Sequence, residues 1–466
     1  IKLTLVDANS QTQAHHILHL GVIMPPNADH LRNRVSGLKA VVDVDDEPET
    51  LRLIPTKDLA ENEVAIDGIV YDLNGFDHPG GDQIMMMGGN DVTVQYKMIH
   101  PHHTGKQLDK LKSIGKLTDY KPEYVFGTPF ERELKREIFK IVPYGREFGT
   151  PGFFSRAIFY CLLLLTLQSI WCYYGSSWAL AVALGISKAF IGLNVQHDAN
   201  HGAASKNFFW NDVLGYGADF IGGSKILWLA QHWTHHAYTN HASMDPDSFS
   251  AEPMLLFNDY HPNSVKRMFY HKFQGAYFML VLSFYWASSV FNPQIIDLKQ
   301  RGAEFVGIKM ENDYIEDRKP LSHFIRLLYI FMNCVTPFLH HGLCLSALGH
   351  IWLMGTVESL FLSTLFACSH NFELVDRDPT KSFRETGEPV CWYKSQVETS
   401  STYGSFIAGY LTGGLNHQVE HHLFPRMCSA WYPYIRPTVQ RVCKKHGVRY
   451  VYYPWIITNL ISLVKY

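Results

Sequence analysis

Four long apolar runs constrain this chain more than any other feature. "FFSRAIFYCLLLLTLQSIWCYYG" (153–175) is long enough to cross a bilayer, which takes about 20 apolar residues in a helix. "SSWALAVALGISKAFIGLNV" (176–195) follows after a short turn, so the two form a hairpin. The runs 324–342 and 343–369 make a second hairpin of the same kind. A shorter run, "AYFMLVLSFYWASSVF" (276–291), is marginal for a span. A chain with 47% hydrophobic and 18% charged residues fits a membrane part joined to a soluble part.

The text around these runs sets the domain organisation. Residues 1–58 read as a flexible tail, with an acidic run at 43–49. Residues 1–23 hold no signal-peptide h-region, and Met24 opens "MPPNADHLRNR". They are therefore expected to be non-native, and His15, His16 and His19 to carry no function. Residues 59–120 read as a small α+β domain, opened by "VAIDGIVYDL", two β-rich runs around Asp67-Gly68. Residues 121–150 read as a charged linker, 151–455 as the membrane domain and 456–466 as a C-terminal tail. A net charge of −2 offers no broad basic field, so nucleic acid is not an expected partner. The eight cysteines include no C-x-x-C pair, and five lie in or beside apolar runs, which reads as reduced core thiols.

Histidine is the outlier, with 25 residues, many of them clustered. His197 and His201 are spaced +4 at the end of the second run. His232, His235 and His236 follow in "QHWTHHAYTNH", at 0, +3 and +4. Gln418, His421 and His422 repeat that spacing in "QVEHH", and His370 sits just past the last run. Residues three and four apart share a helix face. Eight histidines exceed the needs of one tetrahedral zinc and suit two transition-metal ions, each held by four or five nitrogens. Asp198, Asp219 and Glu420 are the nearby carboxylates expected to orient the rings. Gln418 is either a weak oxygen ligand or a donor that holds a water. His241, His417 and the pair His340–His341 are expected to stand outside the site.

Parity places the spans. For the three clusters to meet, an even number of crossings must separate the second from the third, and the pair 324–342 and 343–369 supplies it. Residues 276–291 are then interfacial or re-entrant. "DFIGGSKILWLAQ" (219–231) also reads as interfacial, with Trp228 and Trp233 near the headgroups. The expected fold is an α-helical integral membrane protein of about four transmembrane helices with a cytosolic histidine-rich cap, preceded by the small α+β domain.

In the small domain, His78 in "DHPGGD" is a turn residue or a haem ligand, with Gly80 and Gly81 letting the backbone approach a flat macrocycle. A second axial imidazole would come from His100, with His102 and His103 as rivals. Two imidazoles fill both axial positions and make such a haem an electron carrier.

These motifs carry a resemblance. "YDLNGFDHPGGD" resembles cytochrome b5, and "HDANH", "HWTHH" and "QVEHH" resemble the three histidine boxes of membrane fatty-acid desaturases. A b5 domain ahead of boxes whose third opens with glutamine is similar to the front-end desaturases. "GGNDVTVQYKMIHP" and "GLNVQHDANHGAASK" look most like microalgal, diatom-like Δ5 acyl desaturases. The resemblance covers about 60–455. It implies an oxidoreductase with two non-haem iron ions that uses O2 and two electrons to remove two hydrogens from an acyl chain. It implies iron ligands at His197, His201, His232, His235, His236, His370, His421 and His422, and haem b between His78 and His100. It also implies NADH-cytochrome b5 reductase as electron donor, a fatty acyl lipid or acyl-CoA as substrate, and an endoplasmic reticulum membrane with the active site facing the cytosol. The substrate expected is a C20 polyunsaturated chain desaturated at Δ5. Alternatives are Δ6, Δ8 or Δ4 acyl or sphingoid-base desaturation, a b5-fused lipid hydroxylase, or a zinc membrane hydrolase.

Overall fold

The structure, a computed structural model, describes residues 51–102, 105–257, 266–292 and 312–466. The expectations for 1–50 and for His103 lie outside the described residues.

Strands β1 (Arg52–Ile54), β2 (Glu63–Ile66), β3 (Ile69–Asp72), β4 (Asn90–Asp91) and β5 (Lys112–Leu117) form one sheet in the order β1-β5-β3-β2-β4. Asp67 and Gly68 turn β2 into β3 with φ of 52° and 75°. Two successive positive φ values are what a two-residue hairpin needs to match strand twist. Residues 52–58, read from sequence as tail, contribute β1 and the helical turn Thr56–Asp58. Helix α1 (Thr93–Ile99) ends at His100.

Residues 121–150 are not a tether. They carry α2 (Pro129–Ile141), which starts on Thr128, whose hydroxyl accepts from the Glu131 N–H. Phe130, Leu134 and Ile138 bury one face of α2 in a core shared with Ile435, Val439 and Val442 of the late helix Tyr432–His446. The sequence signal was present: "TPFE" is a capping box with proline at the first helical position.

Among the described residues, four helices are long and apolar enough to cross a membrane: α3 (Pro151–Tyr174), α4 (Trp178–Asn200), α5 (Asp313–His341) and α6 (Leu345–His370). They match the four expected runs, and the chain is an integral membrane protein. Ile158, Phe159, Leu162 and Leu165 leave an exposed apolar face on α3, as lipid contact requires. Helices α4 and α6 approach closely at Gly185, where a Cβ would lie 2.5 Å from the Met354 carbonyl. Residues 276–291 lie in two short helices, Gln274–Leu282 and Tyr285–Phe291, neither of spanning length. The expected tail 456–466 is the helix Ile456–Lys465, which buries Asn459, Ser462 and Leu463.

The segment 219–231 departs most from expectation. It leads into the helix Lys225–Ala237, whose Ile226, Leu229, Ala230 and Trp233 share one buried cluster with Val64, Ile66, Met86 and Met87 of the small domain. Trp233 is buried and donates from Nε1 to the Asn200 carbonyl at 3.2 Å. The apolar face read as lipid-facing meets protein instead. Arg318–Asp82 (2.5 Å) and Asn312 Nδ2 on the Met86 carbonyl (3.1 Å) fasten the same contact.

Candidate metal centre

Helix α4 does not run straight into His197. A π-turn over Gly192–Gln196 comes first, and the extra residue redirects the face that carries His197 and His201. The loop before the third box packs on that turn. Gly413, at φ 64°, lies so close that a Cβ would meet the Leu193 carbonyl at 2.1 Å. His370 ends α6, and His421 and His422 lie on the short helix Gln418–Leu423.

All eight box-region histidines are buried and converge. The nitrogens of His197, His201, His232 and His421 lie within 4.8 Å of one another, and those of His235, His370 and His422 form a second such group. His236 lies between the groups. Its ring stacks on His422 at 4.0 Å and meets His421 at 4.4 Å, and its Nε2 is 3.1 Å from His232 Nε2. The Gln418 amide completes the second group, its Nε2 lying 3.1 Å from His370 Nε2 and 3.4 Å from His422 Nε2. His241 instead bonds Glu123 at 2.8 Å. His340 and His341 donate to the Cys172 and Ser176 carbonyls at the far end of the hairpins.

The ring tautomers test whether this centre suits a metal. His235 Nδ1 faces the Asp245 carboxylate at 2.9 Å, His370 Nδ1 the Thr399 carbonyl at 3.0 Å, and His422 Nδ1 the Gln396 amide oxygen at 3.0 Å. Acceptors there put a proton on Nδ1, so the neutral rings of His370 and His422 turn an Nε2 lone pair inward. His235 Nε2 lies 3.4 Å from His370 Nε2, and a metal cation there would take the place of the second proton that Asp245 and Asp247 favour on His235. In the first group the buried Nε2 atoms of His201 and His421 have no protein partner. Burial, then the neighbouring imidazoles, holds His201, His232, His236, His421 and His422 well below the usual histidine range, in the neutral form that ligates metals. For His235 burial pulls the same way, but Asp245 and Asp247 outweigh it and hold the ring up at about 9. Carboxylates that favour a proton on that ring also favour a metal cation beside it.

In the small domain, the rings of His78 and His100 stand 6.0 Å apart. With each metal–nitrogen bond about 2 Å long, two axial imidazoles on one iron have ring centres roughly 6 Å apart. His100 Nδ1 bonds the Tyr96 carbonyl at 2.8 Å, and His78 Nδ1 lies 3.2 Å from both Gly80 N and the Gly81 carbonyl. Both rings are held by Nδ1. The rival His102 packs between Phe139 and Tyr144 instead. A Cβ on Gly80 would strike the His78 ring at 2.8 Å, and one on Gly81 the Phe208 ring at 2.6 Å, so both positions make room for neighbouring side chains.

The sequence model of the fatty acid desaturase family matches residues 176–454, and that of the cytochrome b5-like heme/steroid binding domain matches 59–121. The chain belongs to the fatty acid desaturase family. It is similar to an acyl-lipid (7-3)-desaturase of Diacronema lutheri, 30% identical over 85% of this chain and 87% of the relative. A protein of the same description from Rebecca salina is 30% identical over 95% of this chain and 97% of its own length. Delta(5) fatty acid desaturase A of Dictyostelium discoideum is 28% identical over 86% and 89%. This chain is a cytochrome b5-fused front-end fatty acid desaturase, an oxidoreductase with a histidine di-metal centre of the di-iron type and a haem-binding domain.

The groups that hydrogen-bond the desaturase's imidazoles differ from the three carboxylates expected from sequence. Asp198 accepts from Ser429 N, Ser429 Oγ and Cys428 Sγ, and so ties the first box to the loop after the third. Asp219 accepts from Ser322 and the Lys225 N–H, and Glu420 from Thr402 and Tyr450. Of the three, only Asp198 approaches a box ring, its Oδ1 lying 3.9 Å from His197 Nδ1. The orienting groups are Asp245, Gln396, the Thr399 carbonyl and Tyr432, whose hydroxyl lies 3.0 Å from His421 Nδ1 and donates to the Met427 carbonyl. Spacing cannot find them, because each reaches its ring from a separate loop or helix.

Proposed function

We propose that this desaturase introduces a Δ5 double bond into C20 polyunsaturated acyl chains. In this reading His197, His201, His232, His236 and His421 hold one iron, and His235, His370 and His422 hold the other, with Gln418 beside it. The single observation that carries the reading is the pair of converging, buried imidazole groups in the same chain as a two-histidine haem slot. When bound, the irons supply a route by which O2 takes up electrons and hydrogen is removed from an unactivated carbon. The chain's own part is to hold and orient. Asp245, Gln396 and the Thr399 carbonyl keep three rings in one tautomer, and burial keeps bulk water from the metal face. His78 and His100 would hold haem b between them, and a haem held by two imidazoles would carry electrons.

NADH-cytochrome b5 reductase is the proposed donor to that haem. The proposed membrane is the endoplasmic reticulum, with the haem domain and metal centre toward the cytosolic NADH pool. The algal relatives are named acyl-lipid desaturases, which supports a lipid-bound chain over acyl-CoA. Their (7-3) designation differs from the Delta(5) of the Dictyostelium relative, so position is the point to test. Expression in a desaturase-poor yeast fed C18 and C20 polyunsaturated acids, followed by double-bond mapping, does so. A new Δ5 bond in a C20 chain is the expected result. A bond at Δ4, Δ6 or Δ8, a sphingoid-base product or a hydroxylated chain would contradict it.

A further inference from the structure

Trp228 lies four residues before His232 on the helix Lys225–Ala237, and so on the same face. Its ring centre is 4.4 Å from His232, 5.1 Å from His201 and 5.4 Å from His197. Those are three of the four rings of the first histidine group. Trp228 also packs against the cluster that Ile226 and Leu229 form with Val64, Met86 and Met87 of the haem domain. Met86 and Met87 end the helical turn Asp82–Met87, which begins directly after the His78-Pro-Gly-Gly loop. One delocalised ring is thus in contact with three imidazoles of the metal centre and packed against a cluster in which its own helix meets the haem domain.

We infer that the Trp228 indole is the bridge by which electrons cross from the haem domain to the first histidine group. The inference rests on the reading of His78 and His100 as haem ligands and of the boxes as a di-iron centre. Each passage oxidises ferrous haem to ferric haem and reduces the metal pair by one electron. Two passages supply the two electrons which, with two protons from solvent and the two hydrogens taken from the acyl chain, reduce O2 to two waters. The indole mediates without being left oxidised or reduced, so its Nε1 proton stays in place. A pure packing role would instead make Trp228 a wedge that holds His232. A competing route exists where Val94 and Met98 of α1 share a core with Ala237 and Leu423.

The test uses the full-length protein loaded with haem and iron. The haem is first reduced with NADH and cytochrome b5 reductase. The protein is then mixed with O2 and acyl substrate, and haem reoxidation is followed by stopped-flow absorbance. Product from a single turnover driven by a small-molecule reductant that reaches the iron directly is measured in parallel. In Trp228→Leu, haem reoxidation should slow by an order of magnitude more than chemically driven product formation falls, with the haem spectrum unchanged. Trp228→Phe should recover part of the rate. Parent-like reoxidation in iron-loaded Trp228→Leu overturns the inference in favour of the competing route. Joint loss of haem-driven and chemically driven turnover overturns it in favour of the wedge. If Trp228→Leu loses iron, Trp228→Phe decides: parent-like reoxidation there overturns the inference, and slower reoxidation with normal chemically driven product supports it. A parent protein without two non-haem irons would refute the underlying reading instead, so the two failures are distinguishable.

Discussion

The two histidine groups are built from the same side chain but held by different forces. In the group of His235, His370 and His422, every Nδ1 is fixed by an acceptor, and one of those acceptors is the carboxylate of Asp245. In the group of His197, His201, His232 and His421, only His421 has such a hydrogen bond among the described residues, to the neutral hydroxyl of Tyr432, and Asp198 stands off at 3.9 Å from His197 Nδ1. His197 Nδ1 is buried without a hydrogen bond, and Trp228 packs against three of the four rings. One group is oriented by hydrogen bonds and the other mainly by packing. The first can therefore tolerate a weak fourth member, the Gln418 amide, because its other rings cannot turn. The second compensates with more imidazoles.

This contrast predicts unequal responses to mutation. The largest belongs to His235→Ala, which removes a ligand from the smaller set. It should abolish unsaturated product and lower non-haem iron while leaving the haem spectrum intact, as gas chromatography and absorbance would show. Asp245→Asn keeps the shape but loses the charge behind His235. Loss of such an outer partner costs roughly 10–100-fold in metal affinity or activity, readable as iron retention under chelator challenge. Gln418→His adds a fourth strong ligand where an amide stands, and should reduce turnover at unchanged iron content. Full activity in that variant would deny the amide a special role. Tyr432→Phe leaves the His421 Nδ1 proton unpaired and should cost about 1 kcal/mol, a severalfold loss. If Tyr432→Phe proves as damaging as Asp245→Asn, the distinction between the two groups is wrong.

Much of this was legible in the sequence, for reasons that differ by region. The four spans follow from length and apolarity, and α3, α4, α5 and α6 stand where the runs lie. The ligand rings follow from spacing, since 0, +3 and +4 on a helix leave little choice of direction. The hairpin at Asp67-Gly68 follows from turn chemistry. The segment 219–231 was misread because an apolar helix face looks the same whether it meets lipid or the haem domain. Asp245 was missed because it arrives from a loop ten residues beyond His235, held by the Asn240 N–H at 2.7 Å, with no periodic signature. The helix Pro129–Ile141 was missed although its cap and apolar spacing were in plain text, because its many charges read as a linker.

The central claim is that two separately held groups of imidazoles bind two irons beside one haem. Counting non-haem iron against haem in the purified full-length protein tests it most directly. The account predicts two non-haem irons per haem in the parent and a selective loss of one in His235→Ala. A single non-haem metal per chain, or zinc in place of iron, would contradict it.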